Sequence, residues 1–490
     1  MSDPGRTDLA VVGAGPAGLC AAATAAELGL QVTIVDENPL PGGQYYRQHP
    51  SGFSRPADGD PLLRHEEAGR VLAVTTDPRV RLLSRTTVWG VFDDRTLALH
   101  GPDVPETLHA RAIVLAAGAY DKPFPFPGWT VPGVYTVGGL QTLVKAQGLL
   151  PGGRMLLAGN GPLLLATAAQ ILDVGGDIAA VVEASPMHRL AALPSLLRHR
   201  DVLREGIGYL SRLRRAHVPL LTRHVVVRVE GDDAVARAVV APLGPGARPD
   251  LERTRTFVVD AVGIGCGFVP SIELLRAAGG QVVYSREAQA WVPRRGTGLE
   301  AAPGVYVAGD NAGIRGSRVA RAEGALAGVE AARALGAVDP DVAERRSAGL
   351  RKELAGLESL QRAINRMYQA EYSPIASLTP ETLVCRCEAV SARAIDEAID
   401  DGAASLHELK AYTRAGMGFC QARVCGPLCE AILRDRLDLS GADDLAAPSV
   451  RPPLKPLSVA ALAQLDLDYA HAASSAHPSI GGESSESAAV

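Results

Sequence analysis

Leu9-Ala-Val-Val-Gly13-Ala-Gly15-Pro-Ala-Gly18 is the stretch that decides the fold. An apolar run enters a glycine turn, and alanine-rich helical composition follows from Leu19 to Leu30. In this spacing Gly13 ends a strand, Gly15 lets the backbone approach a pyrophosphate, and Gly18 lets the helix pack close to the strand. The helix N-terminus offers its free N–H groups to the phosphates. A second strand, Gln31 to Val35, ends in Asp36 and Glu37, where an acid can hydrogen-bond the ribose hydroxyls of an adenine dinucleotide. The full βαβ context favours a dinucleotide site over a glycine turn that binds nothing.

Around this motif lie 490 residues, enough for about three domains. Hydrophobic content of 47% and charged content of 21% are those of a globular protein, and 52 glycines with 4% aromatics suit an α/β chain rich in tight turns. A net charge of −5 gives no electrostatic case for nucleic acid. No basic segment with an apolar core precedes the first strand, so a cytoplasmic location is expected, with membrane association only through partners. The most apolar stretch, Met155 to Ile171, is broken by Gly159, Asn160, Gly161 and Pro162 and reads as strand–turn–helix, so no transmembrane segment is expected.

The loop after Glu37 runs through Gly43 and Gln44 and is placed to follow the dinucleotide. Residues 50–70 read as a polar surface excursion. Arg111 to Gly118 is a buried strand ending in Ala117-Gly118, and the proline-dense Tyr120 to Trp129 is a crossover. At Arg154 the pattern repeats: Met155-Leu-Leu-Ala-Gly159-Asn-Gly161-Pro-Leu-Leu164, with a second strand ending in Glu183. Leu164 stands where the third glycine belongs, which pushes the helix away from the strand and narrows the phosphate site. Gly159, Gly161 and Glu183 are therefore candidates for a nicotinamide dinucleotide, another nucleotide, or an empty remnant. No Arg immediately follows Glu183, which disfavours NADPH relative to NADH. The arginines of residues 187–215 read as a solvated helical face. Further on, Gly304-Val-Tyr-Val-Ala-Gly309-Asp310 is a short apolar strand ending in Gly-Asp, and Asp310 fits either a cofactor's hydroxyls or a helix N-cap.

Five of the seven cysteines fall between Cys385 and Cys429. Cys385-Arg-Cys387 and Cys420-Gln-Ala-Arg-Val-Cys425 form two close pairs, the ligation of a metal or an iron–sulfur cluster. The one-residue gap in the first pair is unusual for zinc. Ser391 to Asp401 and Ser405 to Tyr412 are helical in composition and converge the pairs on one site. Cys429 is either a fifth member or a core residue; Cys20 and Cys266 read as core thiols. From Ala472 to Val490 the Ser/Ala/Gly/Glu-rich tail is expected to be disordered.

Three segments together resemble FAD-dependent oxidoreductases with two dinucleotide-binding domains: Val11 to Gly18, the acid-then-Pro-Gly-Gly-Gln44 loop, and Val307-Ala-Gly-Asp310. Phe126-Pro-Gly-Trp129 with Pro132-Gly-Val134, Gly159-x-Gly-Pro-Leu-Leu164 and Gly265-x-Gly-Phe-Val-Pro-Ser271 resemble the α-type subunits of opine oxidases, hydrogen cyanide synthase and dye-linked proline or hydroxyproline dehydrogenases. The C-terminal segment resembles a bacterioferritin-associated-ferredoxin-type [2Fe–2S] domain, which implies Cys385, Cys387, Cys420 and Cys425 as ligands. The resemblance implies an FAD held by Gly13, Gly15, Pro16, Ala17, Gly18, Asp36, Glu37, Gly43, Gln44, Val88, Ala117, Gly118, Gly309 and Asp310. It resolves Asp310 in favour of the cofactor. The disulfide-reductase relatives carry a redox CxxC, and this chain has none, so thiol–disulfide chemistry is not expected.

The expected fold is α/β. Two Rossmann-like domains, residues 1–150 with 267–335 and an inserted 151–266, precede a helical linker (336–378), a small mostly helical cluster domain (379–435) and an extension (436–490). No substrate acid–base pair stands near the flavin motifs. The resemblance implies the electron-transfer α subunit of a heteromeric amino- or imino-acid dehydrogenase. The partner it implies is a flavoprotein β subunit, and the acceptor a quinone, cytochrome or ferredoxin. The alternatives are a self-sufficient NAD(P)H-dependent reductase of a ferredoxin or other acceptor, which needs the second nucleotide site, and a non-catalytic iron-handling module.

Overall fold

The structure is a computed structural model that describes residues 4–50, 65–123, 125–187, 193–370, 372–441 and 444–464. Most of the expected excursion at 50–70 and all of the expected disorder after 472 lie outside the described residues.

The first unit opens with β1 (Arg6–Val12), α1 (Pro16–Glu27) and β2 (Val32–Val35). β3 (Val80–Leu83), the hairpin β4 (Thr87–Phe92) and β5 (Thr96–His100), and β6 (Thr107–Leu115) follow. β1 pairs in parallel with β2, Val12 opposite Val35, and with β6, Val12 opposite Leu115. Parallel strands covered on both faces need uninterrupted apolar sequence. Leu9, Ala10 and Val11 supply it and are wholly buried.

The chain then leaves this sheet and builds a second one. Its elements are β7 (Val134–Thr136), α2 (Val137–Gln147), β8 (Arg154–Gly159), α3 (Pro162–Asp173), β9 (Asp177–Glu183), α4 (Arg200–Arg215), β10 (Leu220–Thr222) and β11 (Ala261–Gly265). The five strands are parallel in the order β10-β9-β8-β11-β7. Residues 134–147, placed with the first unit on sequence, belong here: Val134 pairs with Val262. The division falls near Gly133 because the proline-dense crossover ends there, not at residue 150. An antiparallel meander of His224–Glu230, Arg237–Pro242 and Arg255–Val258 covers one face of the second sheet.

The chain returns to the first sheet with β12 (Glu300–Ala302) and β13 (Val305–Val307), giving the order β12-β13-β6-β1-β2-β3. Then come α5 (Gly316–Ala334) and α6 (Pro340–Met367), the latter capped by Asp339, whose Oδ1 accepts the N–H groups of Asp341 and Val342. α5 lies against α1 so closely that a Cβ on Gly324 would stand 2.0 Å from the Ala17 carbonyl, and one on Gly328 2.6 Å from that of Ala21. The second unit is thus inserted between halves of the first, as expected.

The C-terminal unit contains the ladder β14 (Leu383–Cys385) and β15 (Val390–Ser391), then α7 (Ala392–Asp400), α8 (Leu406–Thr413) and α9 (Gly426–Arg436). Ser391 and Ser405 cap α7 and α8. This unit docks on both others. The Trp129 indole donates to the Leu383 carbonyl at 2.7 Å, and that of Trp291 to buried Glu430 at 2.9 Å. No helix among the described residues is long and apolar enough to cross a membrane.

Candidate functional site

The three glycines of the first loop are there for different reasons. Gly13 has φ +105°, and a Cβ there would lie 2.4 Å from the Ala116 carbonyl. At Gly18 a Cβ would sit 1.8 Å from the Gly13 carbonyl. Both glycines are demanded by the fold. Gly15 is not: its φ of −79° suits any residue, and the nearest atom to a Cβ would be Gly43 Cα at 3.9 Å. Space that the protein itself leaves open beside Gly15 is space for a ligand. α1 begins at the next residue with no side chain capping Gly15, which leaves its first N–H groups for an anion.

The two acids after β2 divide their work. Asp36 is buried and tied to the loop: Oδ2 accepts the Ala14 N–H at 2.5 Å and Oδ1 that of Asn38 at 2.7 Å. Glu37 is exposed at the rim, paired with Lys455 at 3.1 Å. The loop 300 residues on is held by Glu323. This buried carboxylate accepts the Gly309 N–H at 2.8 Å and contacts Arg295 at 2.5 Å and Arg315 at 2.6 Å. Asp310 reconciles its two readings. Its Oδ1 accepts the N–H groups of Arg315 and Gly316 at 3.1 Å each, capping α5, while the residue lines the cavity. Burial pushes its carboxyl above the usual range.

One cavity of about 1000 Å³ joins these groups. Of the residues assigned to FAD on sequence, Gly13, Gly15, Pro16, Ala17, Asp36, Glu37, Gly43, Gln44, Val88, Ala117, Gly118, Gly309 and Asp310 line it; Gly18 does not, being packed beneath the loop. The cavity continues into an apolar chamber between the units, walled by Leu163 of α3, Ile207 and Leu210 of α4, and Leu360 and Ile364 of α6. Where the two parts meet, buried Lys145 of α2 donates to the Tyr45 carbonyl at 2.5 Å. Asp121 receives the Gly138 and Gly139 N–H groups at the start of α2, and burial raises its pKa. Sequence reading missed Lys145, Asp121, Arg423 and Lys455, all of which line the cavity. No local motif marks them, because tertiary packing brings them there.

Gly159, Gly161 and Glu183 do not line the cavity. Glu183 is buried, with Oε2 accepting the Gly161 N–H at 3.0 Å and Oε1 that of Ser185 at 2.9 Å. Burial pushes its pKa up to about 7. Val12 pairs with Val35 in the first unit as Ala158 does with Val182 in the second, so Glu183 corresponds to Asp36 and Ala184 to Glu37. The second unit keeps the loop-tying acid and lacks the free one. Ala184 is itself buried, with Ala370 and Tyr372 of the linker after α6 packed on its cluster. Leu164 fills the core under α3, 3.8 Å from where Gly265 would carry a Cβ. In the first unit that position meets a carbonyl at 1.8 Å, so α3 cannot approach its strand as α1 does.

In the C-terminal unit Cys385 and Cys387 leave β14 while Cys420 and Cys425 flank the turn into α9. The thiols stand in pairs, Cys385 with Cys425 and Cys387 with Cys420. Among the described residues no three ligating side chains converge on a point that one metal ion could take. Two thiol pairs suit a dinuclear cluster, which needs two ligands on each iron. Gly418 leaves room beside them, since a Cβ there would stand 2.3 Å from that of Cys387. Cys429 is buried on α9 behind Cys425, and hydrogen bonding to it, with burial, raises the Cys425 pKa. Cys20 and Cys266 are free, with pKa values pushed by burial to about 11 and about 12, which fits inert core thiols.

Comparison with known proteins agrees with this geometry. Residues 7–335 match the pyridine nucleotide-disulphide oxidoreductase family, and residues 383–435 the BFD-like [2Fe-2S] binding domain. An opine oxidase subunit of Agrobacterium tumefaciens is 34% identical over 94% of this chain and 92% of that protein. Hydrogen cyanide synthase subunit HcnB of Pseudomonas aeruginosa is 32% identical over 93% and 98%. The crystal structure of L-proline dehydrogenase from P. horikoshii superposes with a TM-score of 0.67 at 22% identity, covering 94% of this chain and 80% of that one, and shows the same fold. The chain belongs to the pyridine nucleotide-disulphide oxidoreductase family, as an FAD-dependent oxidoreductase that carries a BFD-like [2Fe–2S] domain.

Proposed function

We propose that this chain is the electron-transfer α subunit of a heteromeric dehydrogenase or oxidase acting on an amino or imino acid of the opine, proline, hydroxyproline, glycine or sarcosine type. A flavoprotein β subunit removes the electrons from the substrate, and a quinone, cytochrome or ferredoxin takes them away. The observation that carries this reading is Arg423. It lies in the loop between Cys420 and Cys425 and lines the same cavity as Gly13 and Gly15, which supports a reading in which one wall serves both cofactors. FAD accepts two electrons together and yields them singly, and a [2Fe–2S] cluster carries one at a time.

In this assignment Gly15 and the α1 N-terminus hold the pyrophosphate, Glu37 the ribose, and Asp310 the flavin side chain. Glu323 fixes the Gly309 turn, and the apolar side chains of α3, α4 and α6 flank the cavity beyond it. The buried Glu183 and the missing second acid speak against nicotinamide binding in the second unit, and so against a self-sufficient NAD(P)H-dependent reductase. The test is anaerobic. The chain, alone and with a copurifying flavoprotein subunit, is mixed with proline, sarcosine, an opine, NADH or NADPH while flavin absorbance and cluster EPR are followed. Reduction of both centres by an amino or imino acid only with the partner present is the expected outcome. Full amino-acid oxidation by the chain alone overturns the reading, and rapid flavin bleaching by NADH or NADPH replaces it with the reductase.

A further inference from the structure

Residues from six separate parts of the chain meet at the end of the cavity where Glu37 stands. Arg423 Nε pairs with Glu273 at 2.9 Å, and its side chain is 11% exposed. Its guanidinium lies 5.2 Å over the Tyr120 ring, Nη1 donates to the Cys420 carbonyl at 3.3 Å, and Nη2 to the Leu454 carbonyl at 2.7 Å. Leu454 is buried and donates its N–H to the Trp89 carbonyl at 2.7 Å, so the strap around it is fastened to β4. Gln421 holds the Pro453 carbonyl at 3.0 Å. Lys455 then reaches Glu37 at 3.1 Å and lies 5.4 Å over Tyr120. Arg423, Leu454 and Lys455 line the cavity together with Thr86 and Val88 of the first unit.

From this we infer that the cluster loop and the strap after it form the wall over the adenosine end of the flavin nucleotide, so that cluster assembly and nucleotide binding favour one another. The inference rests on the assignment of FAD to the Gly13–Gly18 cavity. Arg423 sits between two thiolate ligands and is bonded to the carbonyl of one of them. Fixing Cys420 and Cys425 on iron fixes Arg423, and through it the strap. A wall ordered in advance costs the incoming nucleotide less conformational entropy. Linkage makes the effect mutual: bound nucleotide holds the loop in the conformation the cluster needs. Lys455, freed from Glu37 by a ribose that takes over the carboxylate, is left as a cation beside the nucleotide.

The test uses the full chain in two states, with its cluster reconstituted and with iron removed by chelation under anaerobic conditions, and measures dissociation constants for FAD, ADP and FMN by calorimetry. FAD and ADP are expected to bind at least tenfold tighter to the cluster-loaded chain, with FMN, which has no adenosine, unchanged between states. Lys455→Gln, which leaves the cluster loop intact, weakens FAD and ADP several-fold in both states, while Arg423→Ala makes the two states alike. Equal FAD constants for the two wild-type states overturn the coupling. A Lys455→Gln variant with wild-type ADP affinity overturns the wall. Gly15→Val separates this from the underlying assignment. If it binds FAD as the wild type does, the site itself is misplaced; if it loses FAD while the wild-type states stay equal, only the coupling fails.

Discussion

Glu183 holds the Gly161 N–H at 3.0 Å in the second unit, and Asp36 holds a loop N–H of the first, that of Ala14 one position earlier, at 2.5 Å. The equivalence shows that the acid at the end of the second strand ties down its own glycine loop in both repeats. In the proposed assignment the ribose is left to the next residue, which is the acid Glu37 in the first repeat and has no counterpart in the second, where Ala184 stands. Glu37→Gln is therefore expected to weaken FAD by roughly tenfold to hundredfold, the worth of a hydrogen bond to a charged group. Glu183→Gln leaves FAD affinity unchanged. Flavin fluorescence titration of both variants checks this.

Glu183 also makes the second unit sensitive to pH. Buried with its pKa near 7, against 4.5 for a free carboxyl, it keeps a proton when folded that the unfolded chain has released. The folded state thus binds more protons between those values. Stability is expected to fall as pH rises through that window, by up to about 3 kcal/mol, and to be flat in this term on either side. Thermal unfolding of the wild type and Glu183→Gln from pH 5 to 8 tests the sign: the decline belongs to the wild type alone.

The glycines give a second pair of contrasting variants. Gly18→Ala forces a methyl against the Gly13 carbonyl, where 1.8 Å is available, and is expected to destabilise the first unit by about 2 kcal/mol or more. Gly15→Ala meets nothing nearer than 3.9 Å and leaves thermal stability unchanged while lowering FAD occupancy. Differential scanning calorimetry, read beside the flavin content of the purified variants, distinguishes them.

Glu323 joins Arg295, Arg315 and the Gly309 N–H from inside the protein. Removing its charge leaves, among the described residues, Arg315 paired with Glu358 alone and Arg295 with only the Val307 carbonyl, both guanidinium groups being largely buried. Glu323→Gln is expected to cost about 3 kcal/mol, in the range for a broken buried pair. FAD affinity falls with it, since the Gly309–Asp310 turn loses its anchor. Arg315→Lys, which keeps the charge, costs less in the same unfolding assay.

Serine replacements sort the cysteines. At Cys385, Cys387, Cys420 or Cys425 they are expected to abolish the cluster, seen as lost iron and lost EPR signal in the reduced protein. Cys429→Ser retains iron and costs about 1–2 kcal/mol for a hydroxyl placed in an apolar core.

Much of this was legible in the sequence because the signals are local. The spacing of Gly13, Gly15 and Gly18 reports a strand–turn–helix geometry directly, and the Leu at 164 announces that the second helix cannot close on its strand in the same way. The serines at 391 and 405 mark helix starts for the same reason. What the sequence hides depends on which atoms meet across the fold. Asp36 and Glu37 look interchangeable until the Ala14 N–H is seen to occupy the first. Val134 to Gln147 carries no mark of the sheet it joins, since a three-residue strand pairs where space allows. Arg423 and Lys455 are ordinary surface residues by composition, and only the docking of the C-terminal unit brings them to the cavity.

The close seating of Gly324 on Ala17 and Gly328 on Ala21 has a consequence for how the protein is made. The helix that follows Asp310 and the helix that begins at Pro16 have no room for independent positions; they set one another's place. A nascent chain that has released only its first glycine loop holds half a site, with its partner helix still untranslated and a whole inserted unit between them. Contacts so far apart in sequence form slowly and leave apolar surface waiting. On the proposed assignment the flavin site is completed late in synthesis, once residues beyond 330 have emerged, and a chain truncated before them carries the fingerprint without the helix that seats against it.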